Sequence, residues 1–331
     1  MTLGDRPIRL GLIGAGKHGR RYAAHICNDF RDSLRLVALT RRDGAQAAEA
    51  AREFGCRAYT DYRALIDEAD VDALVVVVPP VAHLEIVSAA ARAGRPVLLE
   101  KPATVGLGTG RKLLDALAIH PVPVMVAQTL RYNAVVRALL AQCTEIGPIH
   151  SLALTQRFEA SRLDWIDDPS RSGGGMLLQT GVHSFDLLRL LTGMEADGVT
   201  CHMGCVHTRR TEDNFAATVS LGGGAALAVV SGSRAAGGRT GYIEVAGERG
   251  TLVGDHVGHR LHKVAGTTAT PVSLGDPVPT VREVLRDFTR ALRDGAPMPI
   301  PIQEGLRAVA IADACYAAAR SGSTVGVEEV A

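Results

Sequence analysis

The sequence predicts a two-domain α/β protein: an N-terminal doubly wound parallel sheet, then a second domain built on a meandering β-sheet. Three observations predict it. Apolar strand-like runs alternate with helical patterns through residue 128, a glycine-rich turn directly follows the first run, and beyond Val199 the β-type runs are separated by glycine-bearing turns instead of helices. A chain of 331 residues suits two domains of ordinary size, divided here as 1–128 and 129–331.

Composition narrows the class. Hydrophobic residues make up 47% and charged residues 21%, as in a soluble protein with a sizeable core. A net charge of +1 offers no field for nucleic acid or an anionic membrane. The six cysteines (27, 56, 143, 201, 205 and 315) are scattered without a secretory leader, so reduced thiols, mostly in the core, are expected. The N-terminus shows no apolar leader segment and no 18-residue uncharged run follows, which points to a cytoplasmic protein.

The first strand, 8–13, runs straight into Gly14-Ala15-Gly16-Lys17-His18-Gly19, the G-x-G-x-x-G pattern between a strand and a helix of about 17–30. Gly14 allows the tight turn, Gly16 lets the backbone approach a pyrophosphate, and Gly19 lets the helix pack closely. Lys17 and His18 sit in the first turn, whose free N–H groups suit phosphates. The next strand, 34–39, ends in Thr40-Arg41-Arg42-Asp43 and not in the acid that would hold a ribose 2′-hydroxyl. Two guanidiniums and a hydroxyl suit a 2′-phosphate, so NADP is the expected cofactor and NAD remains possible; alternatively the arginines are solvated and Asp43 caps the following helix. Helix 45–54, strand 57–59, helix 62–69 and a buried strand 72–78 follow, the last stopped by Pro79-Pro80. Helix 81–93 closes at Gly94, and strand 97–100 leads to Glu100-Lys101-Pro102. Helix 107–118 and strand 122–128 complete the alternation.

Lys101 stands at the carboxyl edge of the sheet, where ligands of such folds bind. Only four lysines occur (17, 101, 112 and 263), and an ammonium, unlike guanidinium, can release a proton. Lys101 is therefore a candidate reactive amine.

Taken together, Gly14-x-Gly16-x-x-Gly19, Val-Pro79-x-x-x-His83 and Glu100-Lys101-Pro102 resemble the family of glucose–fructose oxidoreductase, inositol dehydrogenase and MocA-type proteins. Arg131-Tyr132-Asn133, Gly147-Pro148-Ile149 and the stretch Gly173-Gly-Gly-Met-Leu-Leu-Gln-Thr-Gly181-Val-His183-Ser-Phe-Asp186 extend the resemblance over nearly the whole chain. It implies a Rossmann domain joined to an α/β domain with a large, open, mostly antiparallel sheet, using a nicotinamide cofactor on a sugar, cyclitol or related alcohol or ketone. It places Pro79, His83, Glu100 and Lys101 at the cofactor edge, makes Lys101 the lysine that hydrogen-bonds the reacting oxygen, and makes His183 the acid/base. Imidazole, with an ordinary pKa near 6.5, suits proton transfer at neutral pH. Gln179, His183 and Asp186 are expected on one helical face within 173–192, with Gln179, Arg131 and Trp165 as substrate contacts.

Two positions depart from the family. Gln179 replaces an aspartate common four residues before the histidine, and Pro80 stands where an asparagine is common, leaving room for a regulatory member with little turnover. The loop 161–172, with Trp165, Asp164, Asp167 and Asp168, either folds over the substrate or is an ordinary surface loop. Cys201, His202, Cys205 and His207 lack the spacing of a zinc site if 201–207 is a strand, and His256, His259 and His262 suit a solvated strand or turn, so no metal is expected. β-type runs at 199–209, 214–221, 224–232, 241–246 and 251–254, then helices 281–293 and 303–319, finish the chain. A one-sided sheet would expose apolar surface, so a homodimer or homotetramer is expected.

Overall fold

The computed structural model describes residues 6–68, 70–161 and 163–330. They form two compact units, the first comprising the described residues up to Thr104 with 108–129 and 279–305, the second 105–107, 130–278 and the described residues from 306 onward.

In the first unit, β1 (Ile8–Ile13), β2 (Leu34–Thr40), β3 (Arg57–Tyr59), β4 (Ala73–Val76), β5 (Val97–Glu100) and β6 (Val124–Ala127) form a sheet of order β3-β2-β1-β4-β5-β6. Every pairing is parallel. Strand order reverses between β1 and β4, so their carboxyl ends flank the crevice that doubly wound sheets use for ligands. Every residue of β4, β5 and β6 is buried, as expected for parallel strands covered on both faces. The intervening helices are α1 (Lys17–Asn28), α2 (Gly44–Phe54), α3 (Tyr62–Ile66), α4 (His83–Arg92) and α5 (Leu107–Ile119). Two boundaries differ from expectation. Pro80 opens a 3₁₀ turn at Pro80–Ala82, so α4 starts only at His83, and α3 stops at Ile66; Ala69, at the expected end of that helix, lies outside the described residues.

The second unit carries α6 (Ala134–Ile146), β7 (Ile149–Arg157), a one-turn helix α7 (Pro169–Ser172) and α8 (Val182–Thr192). Then come β8 (Ala196–Gly204), β9 (Asn214–Leu221), β10 (Ala226–Ser233), β11 (Thr240–Gly247), β12 (Gly250–Asp255), β13 (Arg260–Ala265) and β14 (Thr268–Pro271). Helices α9 (Thr280–Asp294) and α10 (Ile302–Ser321) precede β15 (Val325–Gly326). The sheet order is β14-β13-β12-β11-β7-β10-β9-β8-β15, and its one parallel pair is β7 with β10. Strict alternation in β9, β10 and β11 puts one face into a core with Leu154, Val182, Phe185 and Ala312, and leaves Leu227, Val229 and Tyr242 on the other, at 61%, 52% and 47% exposure.

The division at 128/129 is not where the compact units divide. Helix α9 packs with α1 and β6 in the first unit, Arg293 donates to the Ser33 carbonyl at 3.2 Å, and the segment after it pairs with β6 through Val126 N–H and the Ile300 carbonyl at 2.8 Å. Strand β8 ends at Gly204, so Cys205 and His207 lie on a loop and not on the strand face expected of them. His256, expected in solvent, packs its ring where a Cβ on Gly241 would come within 2.1 Å of Nε2. Among the described residues no cluster of His, Cys, Asp and Glu could hold a metal, and no helix is long and apolar enough to cross a membrane.

Gly14, with φ +103°, leaves no room for a Cβ, which would sit 2.2 Å from the Val77 carbonyl oxygen; a Cβ on Gly19 would sit 2.1 Å from the Gly14 oxygen. A Cβ on Gly16 would meet nothing within 4 Å. Gly14→Ala and Gly19→Ala should each lower stability in urea unfolding by about 3 kcal/mol, at the upper end for local strain. Gly16→Ala should cost at most about 1 kcal/mol, the scale of a lost N-cap preference. Equal costs at all three would sink this steric account.

Candidate active site

The glycine loop delivers α1 with its N-terminus bare. Gly16 is the N-cap and offers no side-chain acceptor, the first turn holds no acid, and Lys17 is exposed there. Unmet N–H groups, the positive end of the helix dipole and a lysine together favour an anion, and the empty space beside Gly16 leaves the backbone approachable. The loop is tied to β2: the Thr40 carbonyl accepts from Ala15 N–H at 2.9 Å, its hydroxyl lies 3.3 Å from Gly14 N, and Arg41 donates to the Ala15 carbonyl at 3.3 Å. Arg42 is exposed. Asp43 caps α2 by accepting from Gln46 N–H at 2.9 Å, the alternative weighed for it above. The edge of β2 thus presents two guanidiniums, and its one acid is committed to a cap.

Glu100 ends β5 at 5% exposure. Its Oε1 accepts from the Tyr22 hydroxyl at 2.6 Å and from His18 Nε2 at 2.8 Å, and its Oε2 from the Lys101 backbone N–H at 3.1 Å. Burial alone would raise this carboxyl, yet the His18 and Tyr22 hydrogen bonds and the Lys101 charge bring it down to about 2. Glu100 and His18, both expected to touch the cofactor, are thus bonded to each other, and Glu100 turns inward as an anchor. His83 is fully buried, with Nδ1 3.0 Å from the Pro102 carbonyl oxygen and Nε2 3.1 Å from that of Val78, so it ties the loop after Lys101 to the end of β4. Lys101, partly buried, is therefore held on both sides by fixed backbone, and partly buried Pro79 begins the turn beside it.

In the second unit the expected single helix over 173–192 is interrupted. Leu177–Gly181 is a π-turn, and α8 starts at Val182. This extra residue per turn breaks the shared face predicted for Gln179, His183 and Asp186. Gln179 is buried and donates to the Ser172 carbonyl at 2.6 Å. Asp186, 1% exposed, accepts from Arg131 Nε at 2.7 Å and Nη2 at 2.5 Å. Arg131, expected at the substrate, is therefore paired in the interior, while His183 sits partly buried in the first turn of α8. The start of the segment is clamped by Glu212, whose carboxylate accepts from Gly175 N–H at 3.1 Å, Leu177 N–H at 3.0 Å and the Tyr316 hydroxyl at 2.8 Å. A Cβ on Gly175 would lie 1.9 Å from the Glu212 carbonyl oxygen, which accounts for one glycine of the Gly-Gly-Gly run.

The loop ahead of this segment is pinned. Trp165 stands partly buried in a 3₁₀ turn, Asp164–Asp167. Asp167 accepts the N–H groups of Arg209, Arg210 and Thr211 between 2.8 and 3.0 Å, and Asp168 caps α7. Both acids thus hold the loop in place; the side chain of Asp164 lies outside the described set.

Comparison with known proteins matches this architecture. Residues 8–128 match an oxidoreductase family with an NAD-binding Rossmann fold, and residues 134–253 match the Gfo/Idh/MocA C-terminal domain. The chain belongs to the Gfo/Idh/MocA oxidoreductase family. Inositol 2-dehydrogenase of Rhizobium meliloti is 26% identical over 93% of this chain and 95% of its own. Myo-inositol 2-dehydrogenase of Thermotoga maritima is 25% identical over 98% of this chain and 99% of its own. A structure of levoglucosan dehydrogenase in complex with NADH superposes with a TM-score of 0.90 at 23% identity, covering 98% of this chain and 100% of that one, which shows a common fold.

Reading this Gfo/Idh/MocA sequence alone missed Tyr22, Glu212 and Tyr316. Each acts across the fold on a residue far away in sequence, and no local pattern marks it. Because the folded-state pKa of Glu100 lies below its ordinary value of 4.5, its contribution is present above pH 4.5 and is lost as pH falls toward 2. That contribution is about 3 kcal/mol. Glu100→Gln should be less stable than the parent at pH 7 in denaturant titrations, and the gap should close as pH drops from 4.5 toward 2.5. A gap independent of pH would contradict the charged anchor.

Proposed function

We propose that this oxidoreductase is an NADP-dependent dehydrogenase or reductase that interconverts a secondary alcohol and a ketone on a sugar, cyclitol or related small molecule. The observation that carries the cofactor half is the bare N-terminus of α1 behind Gly16, with Arg41 and Arg42 at the β2 edge and Asp43 withdrawn into a helix cap. These residues fit a dinucleotide: backbone N–H groups of α1 and Lys17 for the pyrophosphate, Arg41 and Arg42 for a 2′-phosphate. NAD, the partner of the levoglucosan dehydrogenase structure, would leave those guanidiniums without a ligand. The substrate class is supported by the relatives named as inositol dehydrogenases.

When bound, the nicotinamide supplies or accepts hydride. The chain handles the proton and the charge. Lys101 donates a hydrogen bond to the reacting oxygen and stabilises it as negative charge develops. His183 takes the hydroxyl proton in oxidation and returns it in reduction. Gln179, standing where an aspartate is common in the family, cannot assist His183 by charge. Arg131 contributes through Asp186 by holding α8, and Trp165 offers an aromatic face for ring C–H groups. We further infer self-association as a homodimer or homotetramer through the outward sheet face bearing Leu227, Val229 and Tyr242.

Fluorescence titration should show NADPH binding at least tenfold tighter than NADH, and Arg41→Asp with Arg42→Asp should reverse this, a change of about 1.4 kcal/mol or more. On a panel of keto-sugars and inositols, Lys101→Ala and His183→Ala should each lower kcat/KM by about 10²–10⁴-fold with cofactor binding intact. Binding without turnover on any substrate would instead favour a regulatory protein. Val229→Glu should shift the protein to monomer in light-scattering chromatography; unchanged mass would refute that interface.

A further inference from the structure

Between the Trp165 turn and the 206–213 loop the second unit forms an open cleft of about 190 Å³. Its wall includes Leu163, Ile166, Asp167, His207, Asp213 and Arg234. A space of that size takes about six waters, at ~30 Å³ each, and admits one end of a small molecule but not a nucleotide.

Its polar groups are unequally satisfied. Asp167 is bound by three backbone N–H groups, and Asp213 accepts from the N–H groups of Val206, His207 and Thr208 at 2.7–3.0 Å and from Asn214 Nδ2 at 2.8 Å. Arg234 differs. Its Nη2 donates to the Thr180 hydroxyl at 3.0 Å, in the π-turn three residues before His183, whereas its Nη1 is shut from solvent without an acceptor. Among the described residues it forms no salt bridge, and burial pushes its guanidinium pKa down. Glu212 and Asp213 act on the charge from a distance, but neither bonds Nη1, and a desolvated donor left without an acceptor is costly. The group that would meet it is an oxygen acceptor.

We propose that Arg234 binds the carboxylate of an acidic substrate, a sugar acid or similar carboxylated polyol, whose apolar C–H surface rests on Leu163 and Ile166. A small rotation of the guanidinium brings Nη1 to the ligand while Thr180 holds the other edge. A carboxylate suits the site better than a phosphate. The single free nitrogen offers few donors, and Asp167 and Asp213 in the wall repel a dianion more than a monoanion. A neutral hydroxyl would accept the same hydrogen bond but without the added strength of a charged acceptor. The assignment deepens the dehydrogenase reading and rests on it only in calling the bound acid a substrate.

Binding can be read without turnover, because Trp165 is the only tryptophan and its turn forms the cleft wall. Trp165 emission should saturate with D-glucuronate at a Kd at least tenfold below that for D-glucose. Arg234→Gln should erase the preference while NADPH binding persists, and Arg234→Lys should restore part of it. Without ligand, Arg234→Met should not lower the melting temperature, since it removes a desolvated guanidinium whose Nη1 has no acceptor; this keeps the test open should Arg234→Gln fold poorly. Equal affinity for acid and neutral sugar, no saturable response to either, an unaltered preference in Arg234→Gln, or a destabilised Arg234→Met would each overturn the proposal. Inorganic phosphate competing as strongly as glucuronate would overturn the choice of a carboxylate.

Discussion

A buried negative charge at the end of β5 is the constraint on which the first unit depends. Glu100 lies where four consecutive residues are fully enclosed, and a carboxylate there would take up a proton if burial acted alone. It stays ionised because α1 supplies the Tyr22 hydroxyl and the His18 ring. The helix that presents bare N–H groups at its start is therefore bonded, within its first two turns, to the residue that precedes Lys101. His83 makes the second tie, from the end of β4 to the Pro102 carbonyl. The backbone on both sides of Lys101 is thereby fixed.

The second unit solves the same problem with different chemistry. His183 lies in the first turn of α8, directly after the π-turn, and a helical segment frays at its start unless its first N–H groups are met. Glu212, reached from a loop after β8 and steadied by Tyr316 of α10, meets those of Gly175 and Leu177 where the segment begins. Asp186 and Arg131 then lock α8 from its buried side. The π-turn between these clamps turns Gln179 inward to Ser172, so the residue that departs from the family pattern has become structural. Arg234 Nη1 breaks the rule of full satisfaction that Asp167 and Asp213 obey, and such exceptions mark places where stability has been spent on something other than folding.

Legibility in the sequence followed the range of the interactions. The βα alternation, the glycine loop, the Asp43 cap and the strand ending in Glu100-Lys101 were readable because each depends on neighbours within a turn or a strand. Helix α9 was misplaced because its apolar face says that it packs, not against what; its partners α1 and β6 belong to the first unit. His83 and Arg131 were recognised as significant without their structural partners, since a motif fixes a residue's position and leaves its hydrogen-bond partner open.

By itself, then, the sequence determined a doubly wound nucleotide-binding sheet, a glycine loop aimed at an anion, an arginine edge and a lysine at the carboxyl end of a strand. All of these follow from backbone sterics and local periodicity. Only the tertiary structure decided which charges are spent and which remain available. Tyr22 meets Glu100 across 78 residues, Arg131 meets Asp186 across 55, and the Thr180 hydroxyl meets Arg234 across 54. Whether a charged group is an anchor or a binding site depends on burial and on the nearest partner, and both exist only once the chain has closed on itself.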